Sequence, residues 1–174
     1  SWSALFADFD NDGLRDLLIT NGYRKDVTDL DFISYRDELT MFGRAENALS
    51  QYRKQAETLP GVEKPNFLFR NKGGLVFENK ARDWGLDQPS YANGAAYADF
   101  DNDGDLDLVM NTINAEAFVY QNNLRTAQPG NQAHYLALRL AGKQGNRAGL
   151  GAEITVFYGA ERQVAQHALQ RGYK

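Results

Sequence analysis

The chain has 174 residues with 43% hydrophobic, 12% aromatic and 24% charged side chains and a net charge of -4. That suffices for a packed core without disulfide staples and excludes a disordered, collagenous or coiled-coil chain. No apolar run reaches the roughly 18 to 20 residues of a membrane span, and the lack of cysteine excludes disulfides and thiolate zinc sites.

The first predicted element is a hairpin. Ala4-Leu5-Phe6 leads into Ala7-Asp8-Phe9-Asp10-Asn11-Asp12-Gly13-Leu14-Arg15-Asp16, and a second apolar run follows over residues 17–20. This reads as strand, acidic turn, strand. Residues 27–58 differ in kind: Leu30 and Ile33 with Asp37, then Ala45, Ala48, Leu49, Tyr52 and Ala56, recur at helical spacing. Two amphipathic helices are expected, separated by Gly43 and ended by Pro60-Gly61.

Strands are next expected over residues 66–69 and 75–77, around Asn71-Lys72-Gly73-Gly74, a sequence suited to positive φ. The acidic phrase then returns as Ala98-Asp99-Phe100-Asp101-Asn102-Asp103-Gly104-Asp105-Leu106-Asp107, at an offset of 91 residues. Apolar runs again flank it, at Ala95-Ala96-Tyr97 and over residues 108–112, and a further strand fits 117–121. Residues 66–122 thus hold about four short strands, the content of one propeller-type antiparallel blade. Helices inserted after the first hairpin explain an offset longer than an ordinary blade spacing of about 40 to 50 residues.

A linker rich in Asn, Gln, Pro and Gly is expected over residues 122–131. Beyond it, residues 134–140 alternate with Leu136, Leu138 and Leu140 on one face, and 152–158 and 162–169 suggest two more strands. Charge changes sign here: residues 1–121 carry 12 Lys and Arg against 21 Asp and Glu, residues 122–174 carry 7 against 2. The chain is read as part of a longer protein.

The spacing D-x-D-N-D-G-x-x-D puts carboxylates at loop positions 1, 3, 5 and 9 around a glycine at 6, an arrangement that wraps oxygen donors about one hard cation. The first loop offers Asp8, Asp10, Asp12 and Asp16 with the carbonyl of Leu14. The second offers Asp99, Asp101, Asp103 and Asp107, with Asp105 supplying its carbonyl or side chain. Oxygen-only ligation favours calcium over zinc, copper or magnesium, so two calcium sites are expected, bringing the formal charge to zero. Arg15, where the second copy has Asp105, is expected to weaken the first site. An EF-hand needs glutamate at position 12, where Ile19 and Met110 stand instead.

The doubled A-D-F-D-N-D-G-x-x-D-L, with Asn66-Phe67-Leu68-Phe69-Arg70-Asn71 between its copies, resembles the FG-GAP or VCBS repeat of calcium-binding β-propellers, also found in integrin α-chain heads. Residues 134–174, with Leu138-Arg139-Leu140, Gly145-Asn146-Arg147-Ala148-Gly149-Leu150-Gly151-Ala152 and Gln170-Arg171-Gly172-Tyr173, resemble the ASPIC and UnbV domain of cartilage-acidic-protein-like and bacterial secreted proteins. The resemblance implies a mainly β chain: a partial β-propeller over residues 1–121, with a helical insertion at about 27–60, and a small truncated β segment over 132–174. It also implies an exported, cell-surface or periplasmic protein with a role in binding or adhesion.

Two other functions are weighed. A polysaccharide-acting enzyme is suggested by similar propellers, yet His134 and His167 have no nucleophile or motif partner, and the acidic spacing suits a metal better than paired glycosidase carboxylates. RNA binding would use Arg139, Lys143, Arg147, Arg162 and Arg171 with Tyr135, Phe157 and Tyr158. The acidic whole and the lack of a nucleic-acid motif disfavour it. The expected partner is a protein or glycan.

Overall fold

The computed structural model describes residues 2–26, 29–42, 45–125 and 134–169. Among them the chain is sheet-rich, with three antiparallel sheets, none closed into a barrel, and two helices. β1 (Ala4–Ala7), β2 (Asp16–Ile19), β3 (Phe67–Asn71) and β4 (Phe77–Asn79) form the first sheet in that order. β5 (Ala92–Ala98), β6 (Asp107–Thr112) and β7 (Phe118–Tyr120) form the second, and β8 (Glu153–Tyr158) pairs with β9 (Glu161–Gln166) in the third.

The internal repeat is exact in register. Phe6 faces Leu17 across β1 and β2, and Tyr97 faces Leu108 across β5 and β6, each member displaced by 91 residues. The third strands repeat as well: Leu17 faces Phe69 and Leu108 faces Tyr120, so here the offset is 51. The 40 residues between the two offsets are the insertion, which enters between β2 and β3 within one sheet. The stretch 66–122 is therefore not one blade. Its first part completes the sheet begun by β1 and β2, because Phe67, Leu68 and Phe69 pair with Ile19, Leu18 and Leu17; the rest builds the second sheet.

One core joins the two larger sheets: Leu5, Ala7, Phe9, Leu18, Leu68, Ala81, Leu86, Leu108 and Met110 are all buried in a single cluster. Alternation explains the choice, since in β1 and β2 every second residue turns inward. The β3–β4 turn has positive φ at Gly73, Gly74 and also Leu75, which is exposed, so the strand starts at Phe77 rather than 75.

The insertion consists of α1 (Leu30–Phe42) and α2 (Ala45–Thr58); Gly43, the expected separator, lies outside the described residues. Asp29 caps α1, its Oδ1 accepting from Phe32 N at 3.0 Å. Among the described side chains of α1 the buried one is Phe32, its ring tilted against that of Tyr52 with centroids 5.0 Å apart, whereas Leu30 of the expected apolar face is 78% exposed. Apolar residues surround the start of this helix, so spacing alone did not select the packed side. The neck is closed by the Tyr23–Val62 bridge and by Lys25 Nζ donating to the carbonyl of Leu59 at 2.8 Å, next to Pro60.

Two expectations for the C-terminal segment fare differently. β8 and β9 meet across Gly159-Ala160, with Gly159 at φ 60. Residues 134–140 are not a strand: Tyr135, Leu136 and Leu138 are exposed, and the segment joins no sheet among the described residues. An alternating pattern needs a partner edge to become a strand, and none of the described strands supplies it. The 122–131 linker from 126 onward and the Gln170-Arg171-Gly172-Tyr173 motif lie outside the described residues.

Candidate metal centre

Each acidic loop bridges the first two strands of its sheet. The tight path needs positive φ at Asn11 (52) and Gly13 (93), matched by Asn102 (61) and Gly104 (95). The carboxylate at position 1 organises the turn: Asp8 accepts from Asp12 N at 3.1 Å and Gly13 N at 2.9 Å, and Asp99 accepts from Asp103 N and Gly104 N at 3.1 Å each. The position-9 carboxylate is buried and ties the loop to the third strand. Asp16 accepts from Phe9 N at 3.1 Å and Asn71 N at 2.9 Å; Asp107 accepts from Phe100 N and Asn122 N, both at 2.8 Å.

These positions converge. Carboxylate oxygens of Asp8, Asp10 and Asp16 lie within 4.8 Å of one another, as do those of Asp99, Asp101 and Asp107. Position 5 stands apart from both triads. Asp12 accepts from Leu14 N at 2.9 Å and pairs with Arg70, while Asp103 accepts from Asp105 N at 3.1 Å. Leu14 is exposed. Asp105 is buried and outside the triad, its Oδ2 accepting from Arg125 N at 3.2 Å.

Arg15 is not the cation at the first loop. Its guanidinium donates to the carbonyl of Val164. Arg70 of β3 stands there instead, with Nε 2.5 Å from Asp10 Oδ2 and Nη2 3.1 Å from Asp12 Oδ2. In the second loop Gln121 takes the equivalent place, donating to Asp101 Oδ2 at 2.7 Å. Sequence reading overlooked Arg70, Asn71, Gln121 and Asn122. Their signal was the third strand's own repeat, Phe67-Leu68-Phe69-Arg70-Asn71 against Phe118-Val119-Tyr120-Gln121-Asn122.

The loops also touch each other and the C-terminal segment. Asn11 Nδ2 donates to the carbonyl of Gly104 at 3.2 Å, and Asn122 Nδ2 to that of Phe9 at 2.8 Å. Gln163 Nε2 donates to the carbonyl of Gly13 at 2.9 Å, and the ring of Tyr135 lies against Gly104 so closely that a Cβ there would have to displace it.

Burial and mutual repulsion leave the carboxylates short of charge compensation. Burial pushes Asp8 and Asp16 up to about 6, with neighbouring carboxylates adding to the rise and backbone N–H donors opposing it; Asp105 is likewise pushed up to about 6, by burial and then by Asp103 and Asp107. Three carboxylate oxygens, Asp10 Oδ1, Asp103 Oδ2 and Asp105 Oδ1, are buried with no hydrogen-bond partner. A hard cation fits such a donor set, and calcium would be held by the two triads, with Asp12 and Asp103 beside them.

The direction of the pH dependence follows. Between the usual carboxylate range near 3.8 and about 6, the folded state holds protons that the unfolded chain has released. Stability of the metal-free protein therefore falls as pH rises through that window. Melts in EDTA between pH 4.5 and 7 are expected to show this decline, and saturating calcium to remove it. A melting temperature in EDTA that rises steadily to pH 7 would contradict the charge picture.

No family model and no solved structure matches the chain. Over 57 residues it is 40% identical to cartilage acidic protein 1 of mouse, and equally to that of human. The aligned part is 32% of this chain and spans only 9% of the length of either relative.

Proposed function

We propose that this chain is a calcium-stabilised, propeller-type binding module of an exported or cell-surface protein. The observation that carries the reading is the convergence, twice at matched register, of three carboxylates within 4.8 Å beside buried carboxylate oxygens that have no partner. The 40% identity to cartilage acidic protein 1 supports it, as do the two sheets whose first three strands repeat in register. Calcium in each loop neutralises the repulsion and locks the hairpin to its third strand through Asp16 or Asp107. The helical insertion and the loop tips are then free to meet a protein or glycan. Sites binding at about 0.1 to 1 mM suffice for extracellular calcium.

Calcium retained per chain, measured by equilibrium dialysis at 5 mM, tests this. Two ions are expected, falling to one in Asp16→Asn and to one in Asp107→Asn. No retained calcium in a folded chain would sink the proposal.

A further inference from the structure

The two loops share a backbone path and a ligand spacing but differ in the one side chain that the third strand extends towards them. Leu17 faces Phe69 and Leu108 faces Tyr120, so Arg70 and Gln121 occupy the same register position, one residue further on. Both approach the position-3 aspartate: Arg70 Nε lies 2.5 Å from Asp10 Oδ2, and Gln121 Nε2 lies 2.7 Å from Asp101 Oδ2. Arg70 also holds Asp12 at 3.1 Å. One loop thus carries a tethered positive charge among its carboxylates, and the other has a neutral amide there.

We propose that Arg70 is a built-in competitor for the cation, so that the first loop binds calcium more weakly than the second and fills only at higher calcium. This rests on the calcium reading above and goes beyond it, because that reading treats the two loops alike. A divalent ion entering the first loop meets a fixed cation at contact distance and must displace it from two carboxylates, whereas at the second loop it displaces one neutral hydrogen bond. Arg70 and Gln121 line one cleft of about 930 Å³, with Asp83, Trp84 and Tyr120. That cleft gives the released guanidinium a place to go. Until then Arg70 offsets part of the first loop's negative charge, and Asp10 Oδ1 remains buried and unpartnered beside it. The two loops, linked by the Asn11 and Asn122 hydrogen bonds, would then report two calcium ranges rather than one.

Calorimetric titration of calcium reads each loop alone, with the other disabled by Asp101→Ala or Asp10→Ala. The first loop is expected to bind at least tenfold more weakly than the second. Arg70→Gln should tighten the first loop at least tenfold, about 1.4 kcal/mol, and Arg70→Lys should leave it weak. Gln121→Arg should weaken the second loop at least tenfold, and this arm decides the matter if Arg70→Gln does not fold. Equal affinities, or an Arg70→Gln first loop unchanged while the second binds, overturns the inference alone. Absence of binding in both loops of the folded chain overturns the calcium reading and this inference with it.

Discussion

Unfolding in EDTA followed by a calcium titration is expected to show the largest effect this molecule offers. A ligand that binds only the folded state at 100 times its dissociation constant stabilises by about 2.7 kcal/mol per site. Two filled loops would then add about 5 kcal/mol, which for a chain of this size raises the melting temperature by roughly 10 to 20 °C. The rise should saturate, and it should be lost in the Asp10→Ala, Asp101→Ala double variant, since both substitutions remove a carboxylate from a converging triad. With Arg70 beside Asp10, the rise should come in two steps, the second loop's first. A folded protein whose melting temperature ignores calcium would remove the metal from the account and return the acidic turns to solvated connections.

What the sequence disclosed, and what it did not, separates by the range of the interaction involved. The acidic hairpins were legible because strand, turn glycine and carboxylate spacing are all local: Asp8 organises Asp12 and Gly13 within five residues, and Gly13 supplies the positive φ. The insertion was legible because helical spacing is local too. The sheet to which residues 67–79 belong was not, since Phe69 finds Leu17 across 52 residues and nothing in the strand itself names that partner. For the same reason the sequence pointed to Arg15, close in sequence, as a weakening of the first site, while the cation that contacts its carboxylates, Arg70, reaches them from across the sheet. Residues 134–140 fail in the opposite direction: the alternation is there, and no neighbouring strand pairs with it among the described residues. Asp105 adds a subtler case, a carboxylate counted with the loop whose oxygen is committed to Arg125 N.

Asp107→Ala and Asp101→Ala, one loop position-9 variant and one position-3 variant, should separate the architectural work of the loop from its ionic work. Asp107 is buried and accepts from Phe100 N and Asn122 N, so it joins the turn to the residues just past the end of β7 whether or not a cation is present. Hydrogen bonds to a charged acceptor contribute about 1.5 to 3 kcal/mol each, and truncation leaves both N–H groups without that partner. Relief of repulsion among the carboxylates offsets part of the loss. In EDTA, Asp107→Ala should therefore cost about 3 kcal/mol, or roughly 6 to 12 °C in melting temperature. Asp101 is exposed; its Oδ2 accepts from the flexible amide of Gln121 at 2.7 Å and its Oδ1 from Asp103 N at 3.3 Å. In EDTA, Asp101→Ala should be close to neutral, because the two exposed hydrogen bonds lost are balanced by one fewer charge in the cluster. In calcium both variants should lack the second loop's share of stabilisation, so the gap of about 3 kcal/mol between them should persist. Equal costs in EDTA would mean that the position-9 carboxylate holds the cation but not the fold, and the link from acidic turn to third strand would have to be sought elsewhere in the sheet.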